Sequence, residues 1–227
     1  MSSGLKVFVL GYTGETGKAV IKQLSRDNSF SNIILIGRRQ VDLGDFQIAD
    51  DSRFSQKVID FEKVETHTED FKNCDVGFCC LGTTRGKAGP EHFVRVDKDY
   101  VLNSAKVAKE AGCTHFQVVT ASTSDKNSSL LYNKVKGEVE EGLKDLHFKR
   151  LSIFQPGLLL GNRVERRPME TCFKVVLFPL TKLFPTYSSV HFDILAKAMI
   201  NNTKKQATGE VEVITNSKIH ELSKGEN

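Results

Sequence analysis

The stretch KVFVLGYTGETG, residues 6–17, decides the fold. It begins with a short apolar run, Lys6–Leu10, of the kind that predicts a buried β-strand. Three glycines follow closely, at Gly11, Gly14 and Gly17, and a segment with the apolar spacing of a helix begins directly after them. The stretch therefore predicts a strand, a tight turn and a helix in immediate succession.

This order of elements suits the binding of a phosphate group. One glycine permits the sharp turn from strand to helix, another lets the backbone approach a pyrophosphate, and a third lets the helix pack on the strand. The start of the helix adds free N–H groups and the positive end of its dipole. A Walker-type phosphate loop is excluded because no Gly-Lys-Ser/Thr sequence follows. The alternative is a glycine-rich turn that binds no ligand.

The rest of the chain alternates apolar, β-rich runs with segments of helical spacing, which is the pattern of βαβ units and a parallel sheet. We predict an α/β protein with three layers. A length of 227 residues suits one domain, residues 1–227. The predicted strands are Lys6–Leu10, Ile33–Ile36, Lys57–Phe61, Val76–Leu81, Phe116–Val119, Leu151–Phe154 and Val211–Ile214.

Helices are predicted between these strands. One of them ends near Gly112, which is suited to a helix C-cap. Another runs from about Leu130 to Leu146, with apolar residues spaced by four along one face. The segment 158–190 is less regular because prolines interrupt its apolar residues, and it predicts an insert on the substrate side of the sheet.

Two arginines end the second predicted strand. Arg38 and Arg39 lie about 20 residues past the glycine loop, where an NAD-specific site has an acidic residue for the ribose 2′-hydroxyl. Guanidinium groups bind phosphate through charge-assisted, often bidentate bonds, so the pair favours NADP(H) over NAD(H). The alternative is that both arginines are solvated surface residues.

Two more strand ends are predicted to approach the adenosine part of the nucleotide. Asp60, at the end of the third predicted strand, is suited to accept a hydrogen bond from the adenine amino group. Leu81 and Gly82 end the fourth strand, next to Thr83, and offer backbone close to the adenosine ribose.

Tyr132 and Lys136 form a YxxxK pair on the helix after the fifth predicted strand. Residues four apart project from one face of a helix, here toward the ligand-binding edge of the sheet. In a carbonyl reduction the phenol would donate a proton to the carbonyl oxygen. A free phenol ionises near pH 10, and a nearby ammonium group favours the phenolate. A YxxxK pair also arises by accident in a lysine-rich chain, so its position carries the argument.

These residues resemble the short-chain dehydrogenases, and in particular the Tat-interacting oxidoreductase subfamily of atypical members. The GxxGxxG spacing is that of the family. The longest matching runs are Gly77–Gly89, Phe93–Tyr100 and Val135–Glu140, together with Gly14–Gly17 and Ile36–Arg39. They cover the chain from near its start to about Leu160. The resemblance implies a Rossmann-type, doubly wound parallel sheet with NADPH as the cofactor.

The resemblance also implies site residues and biology. The NADPH contacts it implies are Thr13, Gly14, Glu15, Thr16, Arg38, Arg39, Leu81, Gly82, Tyr132, Lys136, Leu159 and Arg167. It implies links to apoptosis, tumour suppression and restraint of nuclear import through importin-type partners. Its members are often monomers, and a monomer is expected here.

Two positions depart from the pattern of the family. The fifth strand should end in a serine pair that holds the substrate oxygen, but Thr120 and Ala121 stand there. Thr120 can still donate and accept, and Ser122 is a nearby substitute. Gln155 stands where an arginine commonly precedes Pro-Gly.

Composition narrows the remaining classes of function. Hydrophobic residues at 39% and charged residues at 26% are ordinary for a soluble globular protein. No apolar run approaches the roughly 20 residues needed to cross a bilayer, and no signal peptide is recognisable. We expect a cytoplasmic protein, with the nucleus or nuclear envelope as a further location. The net charge of +4 is spread among interleaved acids and bases, so nucleic-acid binding is not expected.

The cysteines and histidines predict no metal site. The five cysteines show no CxxC spacing, and an odd number argues against a disulfide framework. The six histidines are scattered singly. The five cysteines are Cys74, Cys79, Cys80, Cys113 and Cys172.

Two functions remain open. The first is an NADPH-dependent oxidoreductase acting on a small carbonyl or alcohol, with Tyr132, Lys136 and Thr120 or Ser122 as catalytic residues. The second is a regulatory protein that senses NADPH and binds protein partners with little or no turnover. The fold by itself does not separate them.

Overall fold

The computed structural model describes residues 4–46, 48, 51–83, 85–161 and 188–225. A parallel sheet of seven strands lies between two layers of helices. The predicted three-layer α/β architecture is confirmed.

All seven predicted strands are present in the sheet. They are β1 (Leu5–Leu10), β2 (Phe30–Gly37), β3 (Phe54–Val58), β4 (Val76–Cys79), β5 (His115–Val119), β6 (Arg150–Gln155) and β9 (Val211–Thr215). Their order across the sheet is β3-β2-β1-β4-β5-β6-β9, and every neighbouring pair is parallel. Two short strands, β7 (Leu158–Leu160) and β8 (Ser189–His191), pair separately.

The prediction for the third strand was wrong by three residues. The sequence predicts Lys57–Phe61, but β3 is Phe54–Val58 and a 3₁₀ segment occupies Phe61–Phe71. The reason is local capping, because the Asp60 carboxylate accepts from the N–H of Glu62 at 3.0 Å and starts the 3₁₀ segment. The fourth strand is also shorter than predicted and ends at Cys79.

Six α-helices lie among the described residues. They are α1 (Glu15–Ser25), α2 (Arg85–Val94), α3 (Tyr100–Glu110), α4 (Leu131–Lys144), α5 (Phe192–Lys204) and α6 (Asn216–Ser223). A π-helical turn, Arg95–Asp99, joins α2 to α3. Gly112 follows α3 with a φ of +98°, which is the left-handed conformation predicted for it.

The sheet separates two apolar cores. Val7 and Val9 of β1 face one core, which includes residues of α1, α5 and α6. Phe8 and Leu10 face the other, which includes residues of α3 and α4. The strand order reverses between β1 and β4, so the loops at their carboxyl ends diverge to opposite faces. Such a reversal leaves a crevice where ligands of doubly wound sheets bind.

The predicted insert is described at its two ends. Leu158 pairs with Ser189, Leu159 with Val190 and Leu160 with His191, so both ends are held side by side. Residues 162–187, and with them Arg167, lie outside the described residues. The single-domain assignment stays a prediction.

Gly77 of β4 leaves room for a large side chain on β1. It lies opposite Phe8 in the pairing of the two strands, and a Cβ at this position would lie 2.2 Å from Cζ of Phe8. The Phe8 ring cannot move aside easily, because its centroid lies 5.1 Å from that of Phe71 and 6.4 Å from that of Phe116. A glycine is therefore required here by packing.

We expect Gly77→Ala to lower the free energy of unfolding by about 1–3 kcal/mol, because the added methyl group overlaps a ring with no free space around it. Gly209→Ala is the control, since the nearest atom to a Cβ there is 3.9 Å away. It should change stability by less than about 0.5 kcal/mol. Urea denaturation measures both, and equal midpoints for the two variants would contradict this account of the core.

Candidate functional site

A cavity of about 510 Å³ lies at the reversal point of the sheet. Three segments that are distant in sequence meet in its wall: the glycine loop, the end of β2 and the loop after β4. The lining residues include Gly11, Tyr12, Thr13, Gly14, Gly37, Arg38, Arg39, Phe61, Cys80, Leu81, Gly82, Thr83, His92, Val96 and Tyr100. The sequence predicted seven of these as contacts of a nucleotide.

The three glycines of the loop have different structural roles. Gly11 has a φ of +74°, and a Cβ there would lie 2.5 Å from the carbonyl oxygen of Cys80. A Cβ on Gly17 would lie 2.3 Å from the oxygen of Gly11. These two glycines are required by the packing of the protein itself.

Gly14 is different because no protein atom needs the space that its missing side chain leaves. A Cβ there would meet only the oxygen of Gly11, at an ordinary 3.4 Å. Gly14 is the N-cap residue of α1 and is exposed, with φ of −81° and ψ of 163°. The N–H groups of Glu15, Thr16 and Gly17 form the first turn of the helix, where they lack partners within it. The open cradle at Gly14 thus fits a pyrophosphate group.

Both arginines at the end of β2 are exposed and line the cavity. Tyr12 of the glycine loop lies against the same segment, and its hydroxyl donates to the carbonyl oxygen of Arg39 at 2.6 Å. The cradle at Gly14 and the two guanidinium groups therefore border one cavity.

The part of the cavity near the start of the 3₁₀ segment is lined by aromatic rather than acidic side chains. Asp60 is exposed and uses its carboxylate to cap the 3₁₀ segment, and it is not among the described residues that line the cavity. Phe61 does line it and stacks on Tyr100 with ring centroids 5.3 Å apart. Burial, reinforced by a 2.6 Å hydrogen bond to Glu62, raises the pKa of Tyr100 to about 12. Adenine hydrogen bonding by Asp60 stays a prediction.

Lys136 on α4 forms a buried ion pair that the sequence analysis did not predict. Its Nζ lies 2.8 Å from Oδ1 of Asp97, and the two side chains are 6% and 2% exposed. Burial acts to lower the pKa of Lys136, but the charge and hydrogen bond of the Asp97 carboxylate, with further contributions from neighbouring groups, act in the opposite direction and the pKa is raised. The ammonium group therefore stays protonated at neutral pH.

Asp97 also holds the loop after β4. Its Oδ2 accepts from the N–H of Thr83 at 2.7 Å, so one carboxylate connects this loop to α4. The sequence contained a signal for this residue. Asp97 lies four positions from Phe93 and four from Val101, on a helical face that is otherwise apolar, and a charge on such a face needs a buried partner.

Tyr132 lies one turn before Lys136 on α4 and is 39% exposed. Its ring stacks on the buried ring of Phe93, with centroids 5.9 Å apart and an angle of 27° between the planes. Tyr132 is close enough to influence Lys136 electrostatically, and the catalytic pairing of phenol and ammonium stays a prediction. The stacking on Phe93 therefore holds the Tyr132 ring in place, while part of the side chain remains exposed to solvent.

The two candidates for the substrate anchor lie in different environments. Thr120 is buried, and its hydroxyl donates to Oε1 of the buried Glu140 at 2.6 Å. Glu140 also accepts from the side-chain amide of Gln155 at 2.9 and 3.1 Å. Ser122 is exposed, and its backbone N–H donates to the carbonyl of Pro156 at 2.9 Å. A substrate contact by either hydroxyl stays a prediction.

Cys79 lies next to the Lys136–Asp97 pair at the end of β4. Burial raises the pKa of its thiol to about 12, so the group is a neutral thiol rather than a nucleophile. Among the described residues, no group of three or more His, Cys, Asp or Glu side chains could hold a metal ion. No described helix is long and apolar enough to cross a membrane.

A serine, a histidine and a glutamate also meet at the opposite end of the sheet, but they are not arranged as a catalytic triad. Ser152 donates to Oε2 of Glu212 at 2.9 Å, and His115 Nε2 lies 2.9 Å from the same hydroxyl. In a triad the carboxylate binds the histidine, not the serine. All three are largely buried, and burial lowers the pKa of His115 to about 3. The cluster joins β5, β6 and β9.

The position of the cavity at the reversal point of the sheet agrees with a comparison against protein families. A family described as NAD(P)H-binding matches residues 11–149. The chain belongs to this NAD(P)H-binding family. The match begins at the first glycine of the loop and extends past α4, so it covers every segment that lines the cavity.

Curated relatives extend this assignment. Protein HTATIP2 of Rattus norvegicus is 44% identical over 218 residues, which covers 96% of this chain and 89% of the relative. The resemblance to the Tat-interacting subfamily is thereby confirmed. Protein fmp52, mitochondrial, of Emericella nidulans is 29% identical over 90% of each chain.

Solved structures share the fold of this NAD(P)H-binding chain. MoeE5 in complex with UDP-glucose and NAD superposes with a TM-score of 0.69 at 13% identity, covering 92% of this chain and 75% of that one. The structure of gox2253 gives 0.70 at 18% identity, covering 97% and 76%. The predicted Rossmann-type fold is confirmed.

Gly14 and Gly17 predict different effects of the same substitution, one on binding and the other on stability. Gly14→Ala should lower NAD(P)H affinity about tenfold or more, because a methyl group occupies the cradle, and should leave the unfolding midpoint unchanged. Gly17→Ala should lower the free energy of unfolding by about 1–3 kcal/mol, because its methyl group meets backbone. Calorimetric titration and urea denaturation measure the two effects. Unchanged affinity in Gly14→Ala would remove the pyrophosphate from this loop.

Proposed function

We propose that the protein is an NADPH-dependent oxidoreductase of the short-chain dehydrogenase type that interconverts a carbonyl and an alcohol. The observation that carries the proposal is the single cavity bordered by the open cradle at Gly14 and by the Arg38 and Arg39 side chains. The family assignment supports a nicotinamide dinucleotide in general, and the arginines support its phosphorylated form.

The preference for NADPH follows from the charges at the end of β2. A 2′-phosphate there has two exposed guanidinium groups within reach and can form bidentate, charge-assisted bonds with them. NADH presents a neutral hydroxyl at the same point and gains little from a guanidinium group. The arginines therefore contribute to selection between the two nucleotides more than to the binding of their common part.

Titration with NADPH and NADH tests this preference. Arg38→Ala/Arg39→Ala should weaken NADPH binding about ten- to hundredfold and change NADH binding by less than about twofold. The control Lys22→Ala/Arg26→Ala removes the same charge near the other end of α1 and should change neither affinity. Tight NADH binding, or a preference for NADPH that survives the arginine substitutions, would contradict the proposal.

The proposed chemistry assigns the proton transfer to α4. A reduced nicotinamide, when bound, would supply the hydride that reaches the substrate carbon. Tyr132 donates its phenolic proton to the carbonyl oxygen and takes it back in the reverse direction. Lys136, held as an ammonium group beside Asp97, would stabilise the phenolate that remains and would hold the nicotinamide ribose.

The proposed anchor of the substrate oxygen consists of two hydroxyl groups that follow β5. Thr120 directly follows β5, but its hydroxyl already donates to Oε1 of Glu140. Its oxygen can accept a hydrogen bond, and Ser122, which is exposed, can donate one. We propose that these two hydroxyls together replace the family serine.

A second function is favoured by the same polar contacts. The Thr120 hydroxyl is bound to Glu140, and the charge of Lys136 is balanced by Asp97, so both groups are partly engaged within the protein. The alternative proposal is a regulatory protein that senses NADPH and binds importin-type partners, with roles in apoptosis and nuclear import implied by the resemblance. On either proposal the cofactor site is the same.

Tyr132→Phe separates the two functions. The variant keeps the ring that stacks on Phe93, so its fold and its NADPH affinity should change little. If the protein is an enzyme, turnover of a carbonyl substrate, found by screening for NADPH oxidation at 340 nm, should fall about 10²–10⁴-fold. A variant that retains full turnover would exclude Tyr132 as the acid. Partner binding that depends on NADPH, without turnover in the unchanged protein, would favour the regulatory function.

The cytoplasmic or nuclear location is also a proposal. The fungal relatives are named as mitochondrial proteins, which describes those proteins and differs from the location proposed here. The monomeric state, the absence of nucleic-acid binding and the small carbonyl or alcohol substrate are likewise proposals that the resemblance and the interleaved surface charges support.

A further inference from the structure

The Tyr12 side chain connects the glycine loop to the segment that carries the two arginines. Tyr12 is the second residue of the loop, yet its side chain is 1% exposed. Its single hydroxyl proton is shared by the carbonyl oxygen of Arg39, at 2.6 Å, and Oε1 of Gln56, at 3.0 Å. Both acceptors are more than 25 residues away, so the contact is long-range.

Gln56 of β3 extends this contact to the next residues of the segment. Its Oε1 accepts from the N–H of Val41 at 3.0 Å, and its Nε2 donates to the carbonyl of Val41 at 2.9 Å. The backbone is therefore held on both sides of Gln40: by the Tyr12 phenol at Arg39, and by the Gln56 amide at Val41. This segment follows β2 and has no regular secondary structure to hold it otherwise.

Gly37 provides the space in which the Tyr12 ring lies. A Cβ on Gly37 would be 2.7 Å from Cε1 of the ring. The ring thus packs directly against the last residue of β2, immediately before Arg38. Burial raises the pKa of Tyr12, although the charge of Arg39 acts against it, so the phenol remains a hydrogen-bond donor at neutral pH.

We propose that Tyr12 and Gln56 are positioning residues for nucleotide selection: they hold the backbone of the Arg38–Val41 segment so that both guanidinium groups are oriented toward a 2′-phosphate before it binds. Neither residue needs to touch the nucleotide phosphate. The inference rests on the proposed preference for NADPH and explains how an irregular segment maintains it.

The physical reason is the planar geometry of the guanidinium group. A bidentate bond to phosphate requires the correct orientation of the fork, and a segment that is ordered in advance loses less entropy when it binds. The phosphate cradle and the arginines are also fixed relative to each other, because Tyr12 belongs to the glycine loop. NADH has no 2′-phosphate for the arginines to bind, so its affinity should not depend on the ordering of this segment.

Tyr12→Phe is the first test, because it keeps the ring against Gly37 and removes only the hydroxyl. The dissociation constant of NADPH should rise about five- to tenfold, and that of NADH should change less than about twofold. Gln56→Leu should also weaken NADPH binding without changing NADH binding, because it removes the hydrogen bonds to the backbone of Val41. Unfolding midpoints of both variants, measured in urea, verify that each is folded at the temperature of the titration.

A variant that lacks both arginines shows whether Tyr12 affects NADPH binding by way of their guanidinium groups. In Arg38→Ala/Arg39→Ala, the additional change Tyr12→Phe should produce no further loss of NADPH affinity, since the groups it orients are gone. A full further loss would show that the phenol acts on the glycine loop instead and would overturn the inference. An equal loss for NADPH and NADH in the single variants would overturn it as well.

The outcomes separate the inference from the proposed function. If the unchanged protein does not prefer NADPH, or if the arginines do not cause the preference, the proposed nucleotide and the positioning role both fail. If the preference depends on the arginines but survives in both Tyr12→Phe and Gln56→Leu, only the positioning role fails.

Discussion

The close contact between the start of α1 and the turn after β1 is the constraint on which the site depends. Gly17 lies so near the turn that a Cβ would be 2.3 Å from the oxygen of Gly11 and 2.5 Å from Cα of Tyr12. Gly11 in turn approaches the carbonyl of Cys80 beyond β4. These contacts bring β1, β4 and the first turn of α1 together at the reversal point of the strand order. The free N–H groups of the helix consequently face the crevice.

The polar side chains of α4 that face the proposed site already have partners within the protein. Tyr132, Lys136 and Glu140 are spaced by four and follow one side of the helix, next to its apolar spine. Lys136 is met by the carboxylate of Asp97, whereas Glu140 is met by the neutral groups of Thr120 and Gln155. Buried charges must be paired or hydrogen-bonded, so each group has little freedom to exchange partners. A substrate or cofactor must therefore compete with contacts that already exist.

Much of the fold was predictable because its signals are local. Six of the seven strands are rich in apolar, β-branched and aromatic residues, and each of these six contains most or all of its predicted residues. β3 begins and ends three residues before its predicted bounds. Asp60 caps a 3₁₀ segment that begins at Phe61, and the prediction places both of these residues in the strand. The pairing of β7 with β8 was not predictable, since three-residue strands have no periodic pattern of their own.

By itself the sequence determined the α/β class, the glycine loop at the first strand end and the positions of Arg38, Arg39, Tyr132 and Lys136 along the chain, because periodicity and motif spacing are local properties. Only the tertiary structure decided which groups meet: Asp97 with Lys136, Thr120 with Glu140, and Tyr12 with Arg39 and Gln56. Each of these contacts joins residues more than 15 positions apart. The burial of a charged or polar group requires a partner, but the identity of that partner is set by the packing of the elements, which no local pattern contains.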